Sequence, residues 1–167
     1  MLNAFEDKVV VITGAGNIIF STSSAGLFGE FGLPAYSASK AALIGLMRSL
    51  SLEGAPKNVQ VNAIAPYAAT QMTEAHLPDE LAIRLDPGEV ATVVAWLASN
   101  SVSGEVLIAG GGGVARARMK VSPAVPVPAM NSSDWQTLQS SKLDLESDSA
   151  GKHFEEFVAS LKLRDHK

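Results

Sequence analysis

Residues 9–21 read VVVITGAGNIIFS, and this stretch decides how the rest of the chain can fold. Val9 to Thr13 is a continuous β-branched run, the pattern of a strand buried on both faces. A second strand-like run, Ile18 to Ser21, follows after only Gly14 to Asn17. Parallel neighbours need a crossover of about a dozen residues or more, so these two runs cannot pair in parallel. Three arrangements remain: a hairpin through GAGN, one continuous bent strand, or an unpaired first run.

Downstream, the pattern settles into alternation. Ala35 to Leu52 reads as a helix, with Leu43, Met47 and Leu50 at helical spacing and Gly54 and Pro56 ending it. Val59 to Ile64 reads as a strand that stops at Pro66, Glu89 to Ala98 as a second helix, and Val106 to Ala109 as a buried strand closed by glycines 110–113. Strand, helix, strand, helix, strand predicts parallel pairing through crossover helices. The parallel part would hold the strands Ile18–Ser21, Val59–Ile64 and Val106–Ala109, with one edge uncovered. After Arg118 the composition changes. We expect a domain over 1–118, a proline-rich linker over 119–131 and a helical tail over 132–167. Ser132-Ser133-Asp134 suggests a cap, and Phe154, Phe157, Val158 and Leu161 form an apolar helical stripe, best read as docking on its own domain.

The 167 residues are 47% apolar, enough for one core. A net charge of -4 and scattered Lys and Arg give no footprint for nucleic acid. Cysteine is absent, which excludes thiolate metal sites and cysteine nucleophiles, and His76, His153 and His166 lack metal-ligand spacing. No apolar run is long enough to span a bilayer, so a cytoplasmic protein is expected. Trp96, among Val93, Val94 and Leu97, reads as core, and Gly110–Gly113 as a flexible turn without the Lys-Ser/Thr of a phosphate loop.

The chemistry is concentrated in Tyr36-Ser37-Ala38-Ser39-Lys40. The i, i+4 spacing puts a phenol and an ammonium on one helical face. Tyrosine, with a reference pKa of about 10, is a poor acid-base group at neutral pH unless a neighbouring cation favours its phenolate. Alone, the pair is weak evidence, since a solvated Lys beside a half-buried Tyr is common.

Ser23 precedes Tyr36 by thirteen residues, in Ser23-Ser24-Ala25-Gly26 just after a strand. With Asn62-Ala63-Ile64-Ala65-Pro66, with Ser103-Gly104-Glu105-Val106 and Gly110-Gly111, and with Phe5 to Gly16 as an opening strand, the sequence resembles the short-chain dehydrogenase/reductase family. The resemblance implies an α/β fold, the C-terminal half of a Rossmann-type doubly wound parallel sheet. It implies an oxidoreductase that interconverts a hydroxyl and a carbonyl with NAD or NADP. Tyr36 would exchange the proton, Ser23 would hold the substrate oxygen, and Lys40 would tune Tyr36 and bind the nicotinamide ribose. Gly14, Gly16, Tyr36, Lys40, Pro66 and Thr70 would contact the cofactor, Thr70 through carboxamide or phosphate. Ala65 to Thr73, APYAATQMT, is similar to loops of hydroxyacyl-CoA dehydrogenase domains, which extends the expected substrates to 3-hydroxyacyl or 3-oxoacyl thioesters. The uncovered apolar edge favours association into a homo-oligomer; the family packs its tyrosine helix in a dimer interface, but the partner helix has no counterpart in this sequence.

The sequence departs from the family in one large respect. Asn17-Ile18-Ile19-Phe20 stands where the TGxxxGxG turn should lead into a helix, so the chain passes from the family's first strand to its serine strand. Roughly 100 residues, about three βαβ units, have no counterpart. They would include the residue that reads the adenosine ribose and the catalytic asparagine. The alternative is therefore a catalytically silent relative, an interaction module or a gene-model fragment.

Overall fold

The computed structural model describes residues 11–14, 16–70, 78–124 and 130–162. Two compact units divide the chain, Met1–Ala117 and Arg118–Lys167.

The first unit is a five-stranded sheet in the order β1-β2-β3-β4-β5. Its strands are β1 (Val11–Gly14), β2 (Asn17–Ser21), β3 (Gln60–Pro66), β4 (Val106–Gly110) and β5 (Gly113–Ala117). The helices are α1 (Ser24–Phe28), α2 (Pro34–Gly54), α3 (Asp79–Arg84) and α4 (Pro87–Ser99). β2, β3 and β4 pair in parallel, joined through α2 and α4. This is the expected α/β fold, a doubly wound parallel core.

Its two faces follow from the period of two along each strand. Phe20, Val61, Ala63 and Val106 turn toward Leu43 and Met47 of α2. Ile19, Ile64, Leu107 and Ala109 turn the other way, toward Leu97 of α4. Both faces being covered explains why these strands read as unbroken apolar runs.

Among the three arrangements left open for the first stretch, the chain adopts the hairpin. β1 runs antiparallel to β2, with Gly14 opposite Asn17 and a two-residue turn between them. Gly16 takes a φ of 82°, a conformation glycine adopts freely. The far side of the sheet holds a second hairpin. Gly110 pairs with Gly113, and Gly111 and Gly112 have φ of 60° and 75°. Two successive positive φ values make a tight turn whose twist suits the flanking strands, and the glycine run closes the β4–β5 hairpin. Antiparallel β1 and β5 therefore cover both flanks of the parallel core, and the uncovered edge expected from three strands is not left open.

Trp96 corrects another expectation, being 51% exposed. Val90, Val93, Val94 and Leu97 carry the inward face of α4, and Trp96 lies about 100° around the helix from Leu97.

In the second unit, α5 (Ser132–Ser140) is capped one residue earlier than the sequence suggested. The Asn131 side chain accepts from the amides of Ser133 and Asp134, and Asp134 returns a bond to the Asn131 amide. Val121 and Leu145 form an antiparallel bridge, and Lys120 pairs with Glu146 at 3.1 Å. α6 (Ala150–Lys162) spans Phe154, Phe157 and Val158 of the expected stripe, with Phe154 68% exposed.

Candidate active site

The C-terminal end of β2 and the first turns of α1 and α2 build one constellation. Three successive residues leave β2 and each meets a different demand. The Ser21 carbonyl accepts from Lys40 Nζ at 3.1 Å. Thr22, 2% exposed, donates its amide to the Ile64 carbonyl and its hydroxyl to the Lys40 carbonyl, both at 2.8 Å. Ser23 has an extended backbone, caps α1, and accepts the Ala25 amide at 3.1 Å. Its hydroxyl proton has no acceptor among the described residues.

α1 rests directly on α2. A Cβ on Gly26 would lie 2.7 Å from the Lys40 carbonyl carbon and 2.8 Å from the Ala41 nitrogen, so only glycine lets the helices come this close. In Ser-Ser-Ala-Gly the serine caps and the glycine admits the neighbouring helix, which brings Ser23 to the Lys40 turn. Pro34 opens α2 at its first position, where a missing amide proton costs nothing. Tyr36 follows in the first turn, 43% exposed, its phenol unbonded among the described residues. Lys40 Nζ stands 5.6 Å from the centre of the Tyr36 ring, a cation–π distance. Tyr36, Lys40 and Ser23 are thus gathered at the carboxyl end of the parallel strands, the end where open α/β sheets take ligands.

β3 completes this end. β2 pairs with β3 as far as Ser21 opposite Ile64, and the Thr22 amide still bonds the Ile64 carbonyl, two residues before Pro66. Beyond it, the Tyr67 amide donates to Ala109 at 2.7 Å, and a Cβ on Gly110 would overlap the Tyr67 carbonyl. The loop is therefore held against β4. Thr70 lies exposed in this loop, after the Ala69 amide bonds Leu85 at 2.7 Å.

The comparisons decide the lineage. The short chain dehydrogenase pattern matches residues 7–81. A short-chain type dehydrogenase/reductase of Mycobacterium tuberculosis is 46% identical over 103 residues, which is 60% of this chain and 36% of that protein. Over residues 7–81 the chain is similar to the short-chain dehydrogenase/reductase family. An acetoacetyl-CoA reductase of Acinetobacter is 41% identical over 111 residues, covering 59% of this chain and 45% of the relative. The full-length peroxisomal multifunctional enzyme type 2 of Drosophila melanogaster superposes with a TM-score of 0.70 at 28% identity, covering 90% of this chain and 30% of that one. The chain spans less than half the length of each.

Against the family pattern, one group of expected residues falls elsewhere. Gly14 and Gly16 lie at the start of β2, whereas Ser23, Tyr36, Lys40 and Pro66 lie beyond its end. At 3.3 Å per residue the two groups stand about 16 Å apart along the sheet. The physical reason is the hairpin: it reverses β1, carrying its glycines to the opposite end from where a parallel first strand would deliver them. Strand β2 follows the turn in place of a helix, so no helix N-terminus faces a pyrophosphate there. The Gly16 carbonyl instead accepts from the Gln60 amide at 2.7 Å, and a Cβ on Gly16 would lie 3.1 Å from the Asn58 carbonyl oxygen.

Asn62 is likewise not presented to a ligand. It is fully buried and bonds the Val102 carbonyl at 2.7 Å and the Glu105 amide at 3.1 Å, latching the 102–105 loop to β3. Two open grooves, of about 430 Å³ and 190 Å³, run between α4 and the β4–β5 hairpin, lined in common by Thr92, Val93 and Val114. Neither includes Ser23, Tyr36 or Lys40, and we place the candidate site on chemistry rather than concavity. Thr22 and Gly26 are the residues whose roles the sequence left unread. A hydroxyl and a glycine flanking the motif serine were the available signals. Among the described residues, no histidine or carboxylate cluster could hold a metal and no helix is long and apolar enough to cross a membrane.

Proposed function

We propose that this chain carries the proton-transfer half of an oxidoreductase site that interconverts a hydroxyl and a carbonyl. The observation behind this reading is the convergence of Ser23, Tyr36 and Lys40 through the Gly26 contact and the Thr22 bond. Ser23 donates a hydrogen bond to the substrate oxygen and fixes it beside Tyr36. Tyr36 gives its phenolic proton to that oxygen in reduction and takes it back in oxidation. Lys40 sets a positive charge against the ring, which stabilises negative charge on the phenolic oxygen as the proton leaves.

A nicotinamide cofactor, NAD or NADP, supplies the hydride in this family. The described residues fit it at one end only. Tyr36, Lys40, Pro66 and Thr70 share the ribose and nicotinamide end, while the pyrophosphate end has no glycine turn leading into a helix. The adenosine half of the cofactor must then be held by protein other than these residues. The acetoacetyl-CoA reductase relative and the APYAATQMT loop support acyl thioesters as the substrate class, although residues 71–77 lie outside the described ones. We read the protein as cytoplasmic and self-associating, with Arg118 closing the catalytic domain.

Calorimetric titration of the purified chain with NADH and NADPH, extended to the roughly mM limit of weak binding, tests the cofactor. Turnover on acetoacetyl-CoA, compared with Tyr36→Phe, tests the chemistry. Saturable binding and turnover that Tyr36→Phe abolishes are expected. A folded chain that neither binds nor turns over sinks the enzyme reading. The hairpin then favours the second one, a catalytically silent module.

A further inference from the structure

We infer that Thr22 is a positioning residue: its hydroxyl locks the helical turn that carries Lys40 onto the strand end that carries Ser21 and Ser23. The inference rests on the proton-transfer reading above and adds to it a residue that touches no substrate.

Thr22 is 2% exposed, and both of its polar groups are spent on different elements. Its amide goes to Ile64 of β3, and its hydroxyl to the Lys40 carbonyl of α2, each at 2.8 Å. That carbonyl lies mid-helix, where the amide four residues on already serves it, and a carbonyl oxygen has a second lone pair to offer. The Thr22 bond is therefore an addition to the helix ladder, and its effect is to fix where this turn sits on the sheet. On one side of Thr22, the Ser21 carbonyl receives Lys40 Nζ at 3.1 Å. On the other, Ser23 opens α1, which reaches the Lys40–Ala41 backbone again through Gly26. Lys40 is thus gripped at its carbonyl, at its ammonium and at its backbone by residues within five positions of one another. The hydroxyl is the one member of this grip that a side-chain substitution removes without changing shape. Thr22→Val keeps the volume and loses the donor, whereas Thr22→Ser keeps the donor and loses a methyl.

The test reads Lys40 directly. The full chain is exposed briefly to an amine-acylating reagent, and the Lys40 labelling is measured by mass spectrometry relative to Lys57 and Lys142. Lys57 and Lys142 are exposed and correct for reagent dose, and a general loosening is recognised from the melt of the same variant. For Thr22→Val the ratio is expected to rise about fivefold, the factor one net hydrogen bond is worth, while Thr22→Ser stays within about twofold of wild type. An unchanged ratio in a cooperatively melting Thr22→Val overturns the inference. If Thr22→Val does not fold, Thr22→Ala, which has no donor, is read the same way: a raised ratio supports the lock and an unchanged one overturns it. Should the wild type turn over substrate, Thr22→Val is further expected to lower kcat more than it raises KM, with Thr22→Ser restoring it. A wild type without turnover refutes the proton-transfer reading alone, and the labelling ratio still decides the lock.

Discussion

Replacing Gly26 by alanine puts a methyl carbon 2.7, 2.8 and 2.9 Å from the Lys40 carbonyl carbon, the Ala41 nitrogen and Lys40 Cβ. Two of these three atoms are backbone, so no rotamer change relieves the overlap. α1 must move off α2 by about 0.7 Å to regain ordinary contact, and overpacking of this kind costs about 1–3 kcal/mol. For a domain of this size the melting temperature should fall by roughly 4–12 °C. Gly45 provides the contrast within the same pair of helices. It sits inside α2 with nothing within 4 Å of a Cβ, and alanine there should stabilise by about 0.5–1 kcal/mol by removing glycine's backbone freedom from the unfolded chain. Thermal melts followed by far-ultraviolet circular dichroism on the wild type and both variants give the comparison. Gly26→Ala melting at or above the wild type would refute the close approach of α1 and α2, and with it the placement of Ser23 beside Lys40.

Met47, fully buried between α2 and the sheet, should lose about 2–5 kcal/mol on truncation to alanine, read from urea unfolding midpoints at constant slope. Asn62→Leu removes both bonds of a buried side chain and strands the Val102 carbonyl and the Glu105 amide; destabilisation of about 2–4 kcal/mol is expected, with faster proteolysis across residues 102–105. The Lys152 hydrogen bond, and then its charge, hold the exposed Asp148 carboxyl below the usual carboxylate range. A depressed carboxyl contributes stability above its ordinary value and loses it as pH falls through the lowered one. Lys152→Met should return Asp148 upward in a carbon-13 titration, and high salt should narrow the gap between the two proteins.

The long elements were legible because tertiary contacts agree with local pattern in them. α2 runs from Pro34 to Gly54 where periodicity indicated 35–52, and β2, β3 and β4 match their apolar runs within a few residues. What escaped was short or set by geometry. α1 has five residues, too few for a helical period to show, and its existence depends on Ser23 as cap and Gly26 as contact. β5 reads GVARA, with one large apolar residue, and forms because the Gly111–Gly112 turn folds it back along β4. Trp96 differs from its expected burial because neighbours in sequence share a composition without sharing a helical face. Within the candidate site, Tyr36, Lys40 and Ser23 were visible as residue types at family spacing. The separation of Gly14 and Gly16 from them was not, since motif spacing carries no strand direction. Only the shortness of the GAGN link hinted at it.

The hairpin also sets the terms on which this chain can be completed. The strand row on the outer side of β2 is the position at which a further parallel strand would join the core, and β1 already fills it by pairing from Val11 through Gly14. A second polypeptide bringing the missing strands, and with them a nucleotide-binding half, cannot simply add to an open edge. It must first displace β1, breaking one ladder before making another. Assembly then becomes an exchange reaction, with an opening step that does not depend on donor concentration. Shortening the chain to begin at Asn17 would remove the competitor and leave the β2 edge free to accept a strand at once.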